Sequence, residues 1–476
     1  MGHRVLRACV WAILASVCIG GCKRSESASA GQGKAAGEQT KPNIVLITLC
    51  SFRFSHMPVA GYDRPTTPFL DSLATGGVLF DRASSSSSWT KPSVASILTG
   101  LTPNVHTLTD MCGDRQIIGG QFSPQRILGD DIVTLAECLR DVGYATAARV
   151  NNVQAGEFFN LTQGFDDAVT SHDMDTPAML DEFAAWVRTL SPDQPFLFFM
   201  LTRDAHIPYD PQYEYYLKFN RSAQAVPPER FRGYCHWVRQ QVERRVEQRR
   251  PVPPGLRWKW VDLYDAELAQ LDDALSRLPA LLDETGRRAD TLIVVIADHG
   301  ERFFERGRIG HSRIPDECVV HVPLIFSGLN VPAGSRIHPV VRSIDVYPTL
   351  AELAGAEVPD GVQGTSLLPL VYGDPEQFPK LTAFSSYKDI HHAVRDENLK
   401  LHLWGDGRRS LHDLEADPYE PRDVWAERPD EAMRLDGLLC QWLDEEDALR
   451  QLVAHPDTRE LTPEVIEQLR SLGYLR

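Results

Sequence analysis

Ile293-Val294-Val295-Ile296-Ala297-Asp298-His299-Gly300-Glu301 constrains this chain more than any other stretch: a β-branched apolar run breaks off into a carboxylate, an imidazole and a glycine. An uninterrupted apolar run of this length is the pattern of a strand buried on both faces, as in a parallel sheet covered by helices. In open α/β sheets ligands bind beyond the carboxyl ends of such strands. Asp298 and His299 therefore fall at the edge where chemistry is expected, and both are metal-ligand types. A capped turn leading into a loop is the competing reading of the same residues.

Further runs fit the same architecture. Asn43-Ile44-Val45-Leu46-Ile47-Thr48-Leu49, Phe196-Leu197-Phe198-Phe199-Met200-Leu201 and Val322-Pro323-Leu324-Ile325-Phe326 read as buried strands. Thr67-Pro68, with Phe69, Leu70 and Leu73 and then Gly76-Gly77, reads as a helix with proline at its first position and glycine at its end. Leu268, Leu271, Leu275, Leu278 and Leu282 mark one helical face before the Ile293 strand. Alternating strands and helices give an α/β class with a central mixed or parallel sheet. After Gly373 the periodicity weakens, which predicts a smaller C-terminal α+β domain over residues 373–476, after a main domain over residues 42–372.

At the N-terminus, Arg4 and Arg7 precede an apolar run over residues 8–21, too short for a comfortable span and shaped like a secretory signal. It ends in Ile19-Gly20-Gly21-Cys22, which resembles a lipoprotein processing site, so a signal over residues 1–22 and lipidation at Cys22 are expected. An ordinary cleaved signal and an uncleaved anchor are the alternatives. Residues 23–41 are rich in Ser, Ala, Gly and Lys and read as a flexible tether. The expected location is the bacterial cell envelope, facing the periplasm or the exterior. Cys50, Cys112, Cys138, Cys235, Cys318 and Cys440 then remain, with no metal-knuckle or redox spacing, and Cys138 falls in a helical core pattern. A formal net charge of −16 argues against a nucleic-acid partner. The basic run over residues 239–250 reads as a solvated helix face, with guidance of an anionic substrate as the alternative.

Ser88-Trp89-Thr90-Lys91-Pro92-Ser93-Val94 leads into a helix that stops near Gly100. A hydroxyl at that helix start stands where N–H groups and the dipole favour an anion, and it is placed to attack a phosphate or sulfate. Thr90 as a plain helix cap is the alternative.

Together these segments resemble the sulfatase branch of the alkaline phosphatase superfamily. The resemblance rests on the first strand, on Arg64-Pro65-Thr66-Thr67-Pro68, and on Thr90-Lys91-Pro92-Ser93 with Leu98-Thr99-Gly100. It continues through Gly143-Tyr144-Ala145-Thr146, Gln163-Gly164-Phe165-Asp166, His206-Ile207-Pro208-Tyr209, Asp298-His299-Gly300-Glu301, Gly310-His311 and Asp345-Val346-Tyr347-Pro348-Thr349. It implies an alkaline-phosphatase-like fold and one divalent cation, zinc, calcium or manganese, beside a covalent nucleophile. Carried over, Asp298 and His299 are metal ligands, Thr90 is the nucleophile, and His206 and His311 contact the transferred group or the leaving oxygen. Lys91 and Arg313 are the expected substrate-binding cations. The implied partner is an anionic ester, such as a sulfated or phosphorylated glycan or lipid head group.

Two departures bear on the chemistry. Family sulfatases convert a cysteine or serine to formylglycine, which Thr90 cannot form, so an ester on Thr90 must be attacked at sulfur or phosphorus. Val94 stands where the motif has arginine. Cys50 and Ser51 stand where acidic metal ligands are expected. A zinc-bound Cys50 thiolate would restore one charge and give a mixed S/N/O site. Two functions follow: an envelope-anchored hydrolase or transferase of sulfate or phosphate esters, or a non-catalytic relative that binds an anionic glycan or an envelope partner.

Overall fold

The computed structural model describes residues 41–111, 122–373, 375–453, 457–472 and 474–475. The signal-like segment, Cys22 and the tether up to residue 40 lie outside the described residues, as does Cys112. Among the described residues no helix is long and apolar enough to cross a membrane.

Eight strands make the central sheet: β1 (Asn43–Leu49), β2 (Val78–Phe80), β3 (Ala145–Val150), β4 (Asp167–Thr170), β5 (Phe196–Thr202), β6 (Thr291–Ala297), β7 (Leu324–Gly328) and β8 (Ser335–Ile337). Their order is β8-β2-β7-β6-β1-β5-β3-β4. β1 pairs in parallel with both β5 and β6, and all three are buried along their whole length, as their unbroken apolar sequences require. β7 runs antiparallel to both β6 and β2, so the sheet is mixed.

Helices cover the sheet. α1 (Pro68–Thr75) has proline in its first turn and gives way to Gly76. Its free N–H groups at Phe69 and Leu70 are taken by Asp272, each at 2.8 Å. α2 (Thr90–Thr99) is buried throughout and ends at Gly100, whose φ of +68° is the left-handed closure that glycine supplies. α3 (Leu135–Asp141) carries a Thr134/Glu137 capping box and buries Cys138. α4 (Pro228–Glu247) carries the first part of the basic run; it buries Phe231, Cys235, Val238 and Val242 and leaves Arg230, Arg232 and Arg244 exposed.

The leucine face expected as one helix is two: α5 (Pro254–Leu275) and α6 (Leu278–Glu284). Pro279 lies in the first turn of α6, where a missing N–H costs nothing; inside a continuous helix it would break a hydrogen bond.

Beyond the central sheet, β9 (Ala383–Tyr387), β10 (His391–Asp396), β11 (Leu399–Leu403) and β12 (Arg409–Asp413) form an antiparallel sheet. α7 (Pro429–Val453) packs on it through Leu435, Leu439 and Trp442. α8 (Pro463–Ser471) returns to the main core, where Val465 and Leu469 are buried. Residues 41–476 cluster as one unit.

Glu446 of α7 ties this region to the main core: its carboxyl oxygens accept from the Thr102 hydroxyl and the Gln363 amide. Burial pushes that carboxyl from 4.5 up to about 7, with the two bonds opposing. Between those values the folded chain holds a proton that the unfolded chain has released. Stability from this group therefore falls as pH rises through the window, by up to ~1.4 kcal/mol per unit. Urea unfolding of Glu446→Gln and the parent at pH 5, 6 and 7 should show the parent losing stability relative to the variant. Parallel pH trends in the two proteins would refute the assignment.

Candidate active site

Three adjacent strand ends deliver the site. Leu49 is in register with Thr202 and with Ala297, so the residues after β1, β5 and β6 emerge on one edge. β3, in register with β5, delivers Asn151 and Asn152 to the same edge. Ser51 takes a left-handed φ of 59° and gives its N–H to Asp298 Oδ1 at 3.2 Å. Gly300 is needed for close approach: a Cβ there would stand 2.5 Å from the Cys318 carbonyl oxygen.

Thr90 enters from α2. It is the first helical residue, and its hydroxyl caps nothing: it stands 3.4 Å from Cys50 Sγ and 3.3 Å from His299 Nε2. His299 Nε2 is in turn 3.6 Å from Asp298 Oδ2. Asn152 Nδ2 donates to Cys50 Sγ at 3.6 Å. Cys50, Thr90, Asp298 and His299 are all 0 % exposed, so the cluster is closed to solvent.

A second layer consists of His206, His311, Glu301, Tyr209 and Tyr474. Tyr474 Oη stands 3.3 Å from Nε2 of both His206 and His311. His206 Nδ1 donates to the Ile207 carbonyl, and His311 Nδ1 lies 3.4 Å from Glu301 Oε2. Tyr209 donates to the same Glu301 oxygen at 3.3 Å.

Burial dominates the electrostatics. It lowers His299 to about 4, against the pull of Asp298, and His311 to about 3, with Arg302 adding to it. His206 is driven well below its usual range by burial and then by His311. The Cys50 thiol is pushed well up by burial and then by Asp298, and Asp298 itself is raised by burial. Glu301 is pushed up to about 7 by burial, with His299 and Arg302 opposing. The cluster thus gathers neutral imidazoles with acidic groups that resist ionisation unless a positive charge joins them.

Cys50, Asp298 and His299 offer donor atoms within 4.8 Å of one another, a grouping able to hold a metal ion. Two observations fit a cation there. Asp298 Oδ2 is buried without a hydrogen bond, and His299 donates through Nδ1 to the Gly300 carbonyl at 2.9 Å, which leaves Nε2 bare toward the cluster. A second grouping, Asp316, His402 and Glu420, is neutralised within the chain by Arg302, Arg306 and Lys400.

The structure brings together Thr90, Cys50, Asp298, His299, His206 and His311. It does not bring in the two expected substrate cations. Lys91 is buried with its Nζ 2.6 Å from Asp110 Oδ1 and 4.5 Å from the centre of the Phe159 ring. Arg313 is exposed in a left-handed turn at φ 67°. Arg203, just after β5, is held by the Asn151 and His172 carbonyls at 3.0 Å each. Glu301 belongs to the contiguous Asp-His-Gly-Glu motif and was within reach of sequence reading. Asn152, Arg203 and Tyr474 carry no local signal.

The sulfatase family model matches residues 42–356, and the C-terminal model of N-sulphoglucosamine sulphohydrolase matches residues 311–443. A sulfatase of Formosa agariphila is 24% identical, covering 86% of this chain and 87% of that protein. The structure of BT4656 in complex with its substrate D-glucosamine-2-N,6-O-disulfate superposes with a TM-score of 0.71 at 19% identity, covering 86% of this chain and 98% of that one. The phosphonate monoester hydrolase of Agrobacterium radiobacter gives 0.65 at 19%, covering 88% and 100%. These structures share the fold, with its central mixed sheet and small second sheet. With the family match running through most of its length, from the first strand past Asp298 and His299, this chain belongs to the sulfatase family of the alkaline phosphatase superfamily.

Proposed function

We propose that this chain is an envelope-anchored hydrolase or transferase of sulfate or phosphate esters, with Thr90 as nucleophile and a divalent cation held by Cys50, Asp298 and His299. The observation that carries this is the position of the Thr90 hydroxyl, turned away from helix capping and into the donor cluster. Among the three proposed ligands, His299 Nε2 and Asp298 Oδ2 stand 3.6 Å apart, and all three donor atoms lie within 4.8 Å of one another. Sulfur, imidazole and a carboxylate would suit zinc, whereas calcium wants six or more oxygens (about 6–8). When bound, the ion would offset charge on the transferring group and acidify the Thr90 hydroxyl.

Thr90 Oγ1 attacks phosphorus or sulfur, forming the Thr90 ester as the bond to the leaving oxygen breaks. His206 and His311, their Nδ1 atoms held by the Ile207 carbonyl and by Glu301, take the Thr90 proton at Nε2 and return it to the leaving oxygen. Water or an acceptor alcohol then attacks the Thr90 ester, giving its proton to the same imidazoles, and the hydroxyl is restored. A threonine ester fits attack at phosphorus better than the carbon–oxygen cleavage available to formylglycine. Support from relatives is that proteins of this fold include a phosphonate monoester hydrolase as well as sulfatases. The substrate class is an anionic ester on a sugar or lipid head group. Gly20-Gly21-Cys22 supports the anchor.

A non-catalytic role in binding an anionic glycan is favoured by one set of observations: Ser51 and Val94 are buried without charge, and Lys91 is committed to Asp110.

Intact mass and peptide mapping after incubation with an aryl phosphate and zinc should show a phosphoryl adduct on Thr90. Thr90→Ala should abolish it and lower turnover at least ~10³-fold. Metal analysis should find zinc at one per chain, lost with Asp298→Ala; Cys50→Asp should shift the preference toward manganese or calcium. A protein that carries no divalent ion, gains no adduct and yet binds a sulfated polysaccharide would establish the second role. Separately, Cys22→Ala should move the chain from the membrane fraction to the soluble fraction; unchanged fractionation refutes the anchor.

A further inference from the structure

Tyr474 is delivered by α8, far in sequence from every other member of the site. Its hydroxyl stands 3.3 Å from both His206 Nε2 and His311 Nε2. Those are the two imidazoles assigned above to the leaving oxygen, and this inference rests on that assignment. An oxygen there competes directly with a substrate oxygen.

The chemistry of the occupant is informative. A phenol is an alcohol on an aromatic ring, equivalent to the half released from an aryl ester. His206 donates through Nδ1 to the Ile207 carbonyl, which leaves its Nε2 to accept from the Tyr474 hydroxyl as it would from an alcohol. Thr90, Asp298 and His299 are 0 % exposed while Tyr474 is partly exposed, so Tyr474 lies on the solvent side of the cluster.

Its carrier is small. α8 and the residues after it rest on Val465, Leu469, Leu472 and Leu475. Ser471 Oγ lies 3.3 Å from His172 Nε2, and the ion pair of Arg470 is with Glu467 on the same helix. It contributes no strand to the central sheet, so its opening would leave the sheet's own ladders intact.

We propose that Tyr474 occupies, from within the chain, the subsite for the hydroxyl-bearing half of the substrate ester, and that the site is latent until Tyr474 withdraws. The subsite accepts a hydroxyl borne on a flat ring, with the transferred group pointing inward to Thr90. A ligand must displace the phenol, so its apparent affinity is reduced by the fraction of chains that are open.

Calorimetric binding of inorganic phosphate to the full chain with zinc, compared for the parent, Tyr474→Phe and Tyr474→Ala, tests this. Tyr474→Ala should bind phosphate about tenfold or more tightly than the parent, with Tyr474→Phe between them, because its ring still fills space but makes no hydrogen bond. Thermal melts check that all three are folded. Equal or weaker binding by Tyr474→Ala, or no phosphate binding by any of the three, overturns the proposal. Tighter binding without a Thr90 ester keeps the occupancy and removes the catalytic reading. A Thr90 ester with phosphate affinity indifferent to residue 474 does the reverse.

Discussion

The parallel pairing of β1 with a strand on each side is the constraint from which the rest of the site follows. Leu49 lies opposite both Thr202 and Ala297, and the ladder runs on: the Cys50 N–H donates to the Thr202 carbonyl at 2.8 Å and the Asp298 N–H to the Leu49 carbonyl at 3.2 Å. With all three strands buried on both faces, a slip of one residue would exchange every side chain between faces and open the core. The same register that fills the core therefore fixes where sulfur, carboxylate and imidazole leave the sheet. α2 adds Thr90 to this frame from a helix buried at every position.

Burial then sets the chemistry. Desolvation keeps the imidazoles neutral and resists ionisation of Cys50, Asp298 and Glu301, so the cluster carries little charge of its own. Elsewhere the chain supplies its own countercharge. Against burial, Arg395 and Lys400 hold the Glu317 carboxyl down at about 2, and Lys400 also reaches Glu420 at 3.3 Å. That network joins the segment before β7 to the small sheet, where removal of one partner would strand a buried charge. The contrast between the two sites is physical: one acidic grouping is already neutralised by arginine and lysine, and the other is not.

Much of the fold was written locally. β1, β5 and β6 were visible as unbroken apolar runs, α1 from proline and glycine at its ends, and the functional edge from the abrupt change at Asp298. The leucine periodicity misled only where Pro279 splits one helix into two. Within the site, Asp298 and His299 follow a recognisable strand end and Thr90 begins a recognisable helix, while Cys50 was joined to them through the family resemblance. Lys91 and Arg313 show the limit. Adjacency in sequence to Thr90 or His311 does not determine direction, and a helix start or a left-handed turn sends neighbouring side chains opposite ways. Lys91 turns to Asp110, and Arg313 turns to solvent.

The sequence by itself determined the fold class, the family and the inner set of donors, because strand burial and element boundaries are encoded within a few residues of one another. Only the tertiary structure decided what those donors face. Asn152 on Cys50, Arg203 on the Asn151 and His172 carbonyls, and Tyr474 on His206 and His311 are all contacts between distant segments. Such contacts depend on how helices and loops pack over the sheet, and no local period or propensity records them.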